Sequence, residues 1–98
     1  MKKQPSYRFD TLSQHAGYDP KGHRGYLSEP IYEGVVQAQP NCRTAARAFA
    51  GKKDGFIYGR LGNETARIFE KRLAALEGGE DALSFATGMA AIRCLVLK

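Results

Sequence analysis

Apolar residues are spread along this chain in two different ways. From Met1 to Gln39 the aromatics and aliphatics stand singly among Gly17, Gly22, Gly25, Gly34, Pro5, Pro20 and Pro30, and neither a two-residue nor a 3.6-residue period persists. This pattern predicts an extended, loop-rich arm. Its Tyr26, Leu27, Ile31, Tyr32, Val35 and Val36 cannot readily cover one another, so they either strap over this chain's own core or dock on another surface, such as a second subunit. After Pro40 and Asn41 the pattern tightens. Thr44 offers a hydroxyl cap to the run from Ala45 to Ala50, which Gly51 ends, and this predicts a short helix near 44–50. Phe56, Ile57 and Tyr58 favour extended backbone, and Gly59 to Asn63 reads as a turn.

The second half is periodic. Asn63 can accept from the open amides of a following helix, Glu64 suits the positive end of its dipole, and Gly78-Gly79 supplies a stop, so a helix is predicted over 64–77. On it Ala66, Phe69, Leu73 and Leu76 recur at three- and four-residue intervals and form the expected buried stripe, with Arg67, Glu70, Lys71 and Arg72 elsewhere around the wheel. A short apolar strand is predicted from Ala82 to Phe85, then the turn Ala86-Thr87-Gly88, then a second helix from Met89 through Leu97. The expected division is an arm over 1–62 and, over 63–98, the helix-strand-helix opening of an α/β domain.

Composition narrows the classes. With 98 residues and 43% hydrophobic content there is room for one modest core. No run approaches the ~18 apolar residues of a membrane span, and the start Met1-Lys2-Lys3-Gln4 has no apolar signal core, so a cytoplasmic protein without membrane contact is expected. Cys42 and Cys94 make no CxxC or Cys/His spacing, which gives no support to a metal site or disulfide framework. Fifteen Lys and Arg against ten Asp and Glu give +5, but the cations are scattered rather than striped, so no nucleic acid partner is expected. His15 and His23 belong to no HExxH or nucleophile pattern; His15 is expected to make a structural hydrogen bond in the arm.

Two places carry chemistry. At Phe85-Ala86-Thr87-Gly88-Met89-Ala90-Ala91 a strand feeds a small-residue turn into a helix, leaving backbone N–H groups pointing outward in an arrangement that suits phosphate, though taken alone such a turn more often serves close packing. In Tyr58-Gly59-Arg60, extended backbone would project the phenol and the guanidinium from one face toward a shared oxyanion. Alone, that tripeptide reads rather as a surface Arg beside a core Tyr.

Taken together and in order, Tyr58-Gly59-Arg60-Leu61-Gly62-Asn63-Glu64-Thr65, Leu73-Ala74-Ala75-Leu76-Glu77-Gly78-Gly79 and Ala86-Thr87-Gly88-Met89-Ala90-Ala91 resemble the Cys/Met-metabolism family of pyridoxal-phosphate enzymes. Thr11-Leu12-Ser13-Gln14-His15-Ala16-Gly17 and Pro30-Ile31-Tyr32 extend the likeness upstream. The resemblance implies an α/β fold: the N-terminal arm plus the first helix-strand-helix of the large domain of a fold-type I pyridoxal-phosphate-dependent transferase, truncated. It implies pyridoxal 5′-phosphate as cofactor, with Gly88 and Met89 giving amides to the cofactor phosphate and Tyr58 and Arg60 reaching that phosphate from a neighbouring subunit. It also implies a homo-oligomer, dimer or tetramer, whose arm wraps the partner. Two departures stand out: Glu64 occupies the place where the family usually has Pro, and Gly59 one where Ser or Thr is common.

Such enzymes need a lysine to carry the cofactor and an acidic partner for its ring nitrogen, and both normally lie beyond this length of chain. None of Lys2, Lys3, Lys21, Lys52, Lys53, Lys71 or Lys98 sits in an apolar setting, so no catalytic residue is assigned and the segment alone is expected to be inactive. The parent enzyme is expected to act on a small amino acid in trans-sulfuration, by γ- or β-elimination or replacement on homoserine esters, cystathionine or methionine, with lyase and transferase equal candidates. The alternative is a non-catalytic truncated product or a small assembly or binding module.

Overall fold

A computed structural model describes residues 6–52 and 55–97. Its elements are α1 (Phe9–His15), a 3-10 turn (Pro20–His23), α2 (Cys42–Phe49), α3 (Glu64–Glu77) and α4 (Gly88–Val96). The chain divides into two compact units, Met1–Tyr18 with Phe69–Lys98, and Asp19–Ile68.

Helix α3 begins and ends where local chemistry predicts. Asn63 Oδ1 accepts from the Thr65 amide at 2.8 Å and so takes one of the orphan donors of the first turn. At the other end Gly78 turns left-handed with φ 66°, and the Gly79 amide reaches back to the Ala74 carbonyl at 2.9 Å, as in a Schellman motif. Because a Cβ at that φ crowds the following carbonyl, Gly78→Ala is expected to cost about 1–2 kcal/mol, readable as a lower urea midpoint in the full-length protein.

The other helices correct the sequence reading in part. In α2 it is Asn41, not Thr44, that caps: its side chain accepts from the Thr44 amide at 2.8 Å, which starts the helix at Cys42, two residues before the expected Thr44. Helix α4 starts at Gly88 because Thr87 accepts from the Ala90 amide at 3.2 Å. Helix α1 lies inside the segment read as an extended arm. It has no side-chain cap and no buried residue. What anchors it lies far along the chain, since the Arg72 guanidinium donates to the Ala16 carbonyl at its C-terminal end at 2.9 Å.

The buried stripe expected on α3 is not the one observed. Phe69 and Leu73 stay largely exposed, whereas Ile68, Glu70 and Ala74 are buried. Glu70 and Ala74 stand one turn apart on one face. There the Glu70 carboxylate accepts both the Ser84 amide and the Ser84 hydroxyl at 2.8 Å, and Gly79 closes against Ala74. Hydrogen bonding makes a buried carboxylate tolerable, a circumstance that hydropathy alone does not register.

Residues 82–85, expected as a strand, run without a ladder between α3 and α4, because the neighbours a strand needs are not among the described residues. The one β-type pairing described is an isolated antiparallel bridge between Val36 and Tyr58.

Candidate anion site

Tyr58 and Arg60 lie in the unit Asp19–Ile68, where the structure brings them together. The Arg60 guanidinium stands 5.2 Å from the centroid of the Tyr58 ring, within cation–π range. The route differs from simple strand alternation. Only Tyr58 is bridged; after it the chain folds into a turn in which the Tyr58 carbonyl accepts from the amides of Leu61 at 2.9 Å and Gly62 at 3.2 Å. The turn therefore folds Arg60 back toward the phenol while leaving the guanidinium exposed. Gly62 is required here for space: a Cβ on it would come within 2.8 and 2.9 Å of the Phe56 ring.

Arm residues hold this turn at both ends. On one side the Gly59 amide donates to the Val35 carbonyl at 2.7 Å and the Gln37 amide to the Ile57 carbonyl at 3.3 Å. On the other, Asn63 Nδ2 donates to the Tyr32 carbonyl at 2.8 Å, and the Tyr32 amide donates to Thr65 Oγ1 at 2.8 Å. Thr65 Oγ1 also donates to the Pro30 carbonyl at 3.5 Å. The Tyr32 hydroxyl is in turn held 2.6 Å from His23 Nδ1, and His23 Nε2 stands 3.9 Å from Glu64 Oε1.

Glu64 is the first residue of α3, where a carboxylate gains from the helix dipole. The structural histidine of this region is His23. His15, at the end of α1, has no partner among the described residues. Nothing in the hydropathy pattern marks His23, Tyr32 or Thr65 as a network; their pairing spans up to 33 positions.

Gly88 and Met89 belong to the other unit, at the start of α4. The Thr87 side chain takes the Ala90 amide and the Thr87 carbonyl takes that of Ala91 at 3.3 Å, while the amides of Gly88 and Met89 find no acceptor among the described residues. Both residues are exposed, and a Cβ built at Gly88 would enter open space. Two open amides at the positive end of a nine-residue helix make one anion-binding arrangement, and an exposed guanidinium with a phenol beneath it makes another. Both donor sets fit a phosphate group. Among the described residues no group of three or more His, Cys, Asp or Glu could hold a metal ion, and no helix is long and apolar enough to cross a membrane.

The fold around these positions has solved counterparts. A structure assigned as an O-acetylhomoserine (thiol)-lyase from Campylobacter jejuni, which carries a pyridoxyl-lysine phosphate, superposes with a TM-score of 0.84 at 35% identity over 93% of this chain and 22% of that one. The fold is accordingly the N-terminal arm and opening elements of a fold-type I pyridoxal-phosphate-dependent enzyme. The model of the Cys/Met metabolism PLP-dependent enzyme family matches residues 10–98, and the chain belongs to that family. It is 43% identical over 84 residues to the L-methionine gamma-lyase of Pseudomonas putida, covering 86% of this chain and 21% of that enzyme. It is 46% identical over 84 residues to O-acetyl-L-homoserine sulfhydrylase 1 of Thermus thermophilus, covering 86% and 20%. The chain thus spans about a fifth of the length of the curated relatives it matches.

Proposed function

We propose that this chain is the N-terminal part of a pyridoxal-phosphate enzyme of sulfur amino acid metabolism and that its contribution is to hold the cofactor phosphate. In this reading residues 1–62 form the arm and 63–98 open the α/β domain. The amides of Gly88 and Met89 bind the phosphate within one subunit, and Tyr58 and Arg60 reach the phosphate of the neighbouring subunit in a cytoplasmic homo-oligomer. The observation that carries the reading is the pair of unclaimed amides at the start of α4, joined to the exposed Arg60–Tyr58 pair in a chain of this family.

When bound, the cofactor supplies an electron sink for negative charge developing on the amino-acid substrate. This chain's residues supply position. The helix dipole and two amides fix the phosphate end, the guanidinium neutralises its charge, and the Tyr58 hydroxyl adds one more donor. No lysine of the chain is given a catalytic role. The substrate is a small sulfur-containing amino acid or an activated homoserine, with elimination and replacement both within the reach of this chemistry.

The full-length protein tests this directly. Loaded with pyridoxal phosphate, it is expected either to release thiol from L-methionine or to consume sulfide in the presence of O-acetyl-L-homoserine. The activity should vanish on removal of the cofactor and return on its addition. Failure to retain cofactor, together with no turnover of either substrate, would overturn the proposal.

A further inference from the structure

The phosphate reading assigns Tyr58 and Arg60 but leaves open what keeps their turn in one conformation. The turn is exposed, and inside it only the two amides donating to the Tyr58 carbonyl constrain it. An Arg side chain on such a turn loses rotamer and backbone freedom when it binds an anion, and that loss subtracts from affinity unless the turn is already ordered.

Ordering comes from outside the turn, and one side chain is central to it. Thr65, the second residue of α3, uses one hydroxyl for two arm residues: Oγ1 accepts from the Tyr32 amide at 2.8 Å and donates to the Pro30 carbonyl at 3.5 Å. Its own amide is taken by Asn63 Oδ1, while the other end of the same Asn63 amide group donates to the Tyr32 carbonyl. Tyr32 is therefore gripped at both its N–H and its C=O by the residues that end the turn and start the helix. Its phenol is held by His23, whose side chain is only 10% exposed. Residues 30–32 thus cannot leave the helix entry without breaking three hydrogen bonds made by Asn63 and Thr65.

We propose that Thr65 is a positioning residue for the Tyr58–Arg60 turn, tying arm residues 30–32 to the entry of α3, with His23 supporting it through the Tyr32 hydroxyl. The inference rests on the phosphate reading above, and it concerns residues that touch no cofactor. Thr65 fits the role by its chemistry. A hydroxyl can accept and donate at once, whereas an isosteric valine can do neither, and leaves the Tyr32 amide without its acceptor.

The test compares pyridoxal 5′-phosphate with pyridoxal, which lacks the phosphate, as ligands of the full-length protein. The ratio of their dissociation constants isolates the phosphate contribution. Thr65→Val is expected to reduce the preference for the phosphorylated ligand about three- to tenfold, the range for one hydrogen bond, while Thr65→Ser restores it. A valine variant that weakens both ligands by one common factor has lost general stability instead, and that result overturns the proposal, as does an unchanged ratio. Should Thr65→Val not fold, His23→Leu beside His23→Gln asks the same question from the far end of the network; an equal ratio in those two variants also overturns it. Arg60→Ala serves as the reference. If it leaves the ratio unchanged, the phosphate reading itself fails and takes this inference with it; if it lowers the ratio and Thr65→Val does not, only the positioning role is lost.

Discussion

Replacing Arg60 by alanine in the full-length protein is expected to raise the dissociation constant for pyridoxal phosphate by about ten- to hundredfold, because charge-assisted hydrogen bonds contribute about 1.5–3 kcal/mol. The loss should be steep because Arg60 is the exposed cation that the turn presents, already stacked on Tyr58. Arg60→Lys should fall between, since the charge remains but the planar fork does not. Tyr58→Phe should cost less than either, because the ring beneath the guanidinium is kept and only one O–H donor is lost. Fluorescence titration of cofactor-free protein measures all three. A dissociation constant for Arg60→Ala equal to that of the unmodified protein would remove Arg60 from the phosphate site.

The second large effect is one of stability. By hydropathy, Glu70→Ala removes a charge from a buried position and ought to help. The expected result is the reverse, a destabilisation of about 1.5–3 kcal/mol, because the Glu70 carboxylate is the acceptor for both the amide and the hydroxyl of Ser84. Glu70→Gln keeps an acceptor oxygen in the same place and should cost a fraction of that. Hydrogen exchange at the Ser84 amide in the full-length protein reports the difference locally. Protection that survives in the alanine variant would mean that the segment leading to α4 is held by something other than this carboxylate.

Where the chain carried its own local signals, the sequence was readable. Asn63 as cap, Glu64 as first residue and Gly78 as left-handed stop delimit α3 without reference to any distant part of the chain. The turn into α4 was legible for the same reason, through Thr87 and Gly88. Features that depend on distant partners were not. Helix α1 has no cap of its own and is tied by Arg72, 56 positions away. The burial of Glu70 depends on Ser84, which no wheel of α3 displays. At the candidate site the residue types at Tyr58 and Arg60 pointed to an oxyanion, while the way they meet, through a turn rather than a strand, needed coordinates. The Thr65 network was invisible because each of its bonds to the arm uses a main-chain group, and every residue type but proline carries the same amide.

That last point bears on how such an arm can change over evolutionary time. Since Pro30, Tyr32, Val35 and Gln37 secure the turn through their backbones, nearly all the side chains from 30 to 37 are uncommitted to that task, and Ile31, Val35 and Val36 are largely exposed. Side chains there can then be exchanged to suit whatever surface the arm meets without removing the backbone hydrogen bonds that hold the turn after Tyr58. Tyr32 is the exception, being held through its phenol as well, and substitutions there should be the scarcest in the segment.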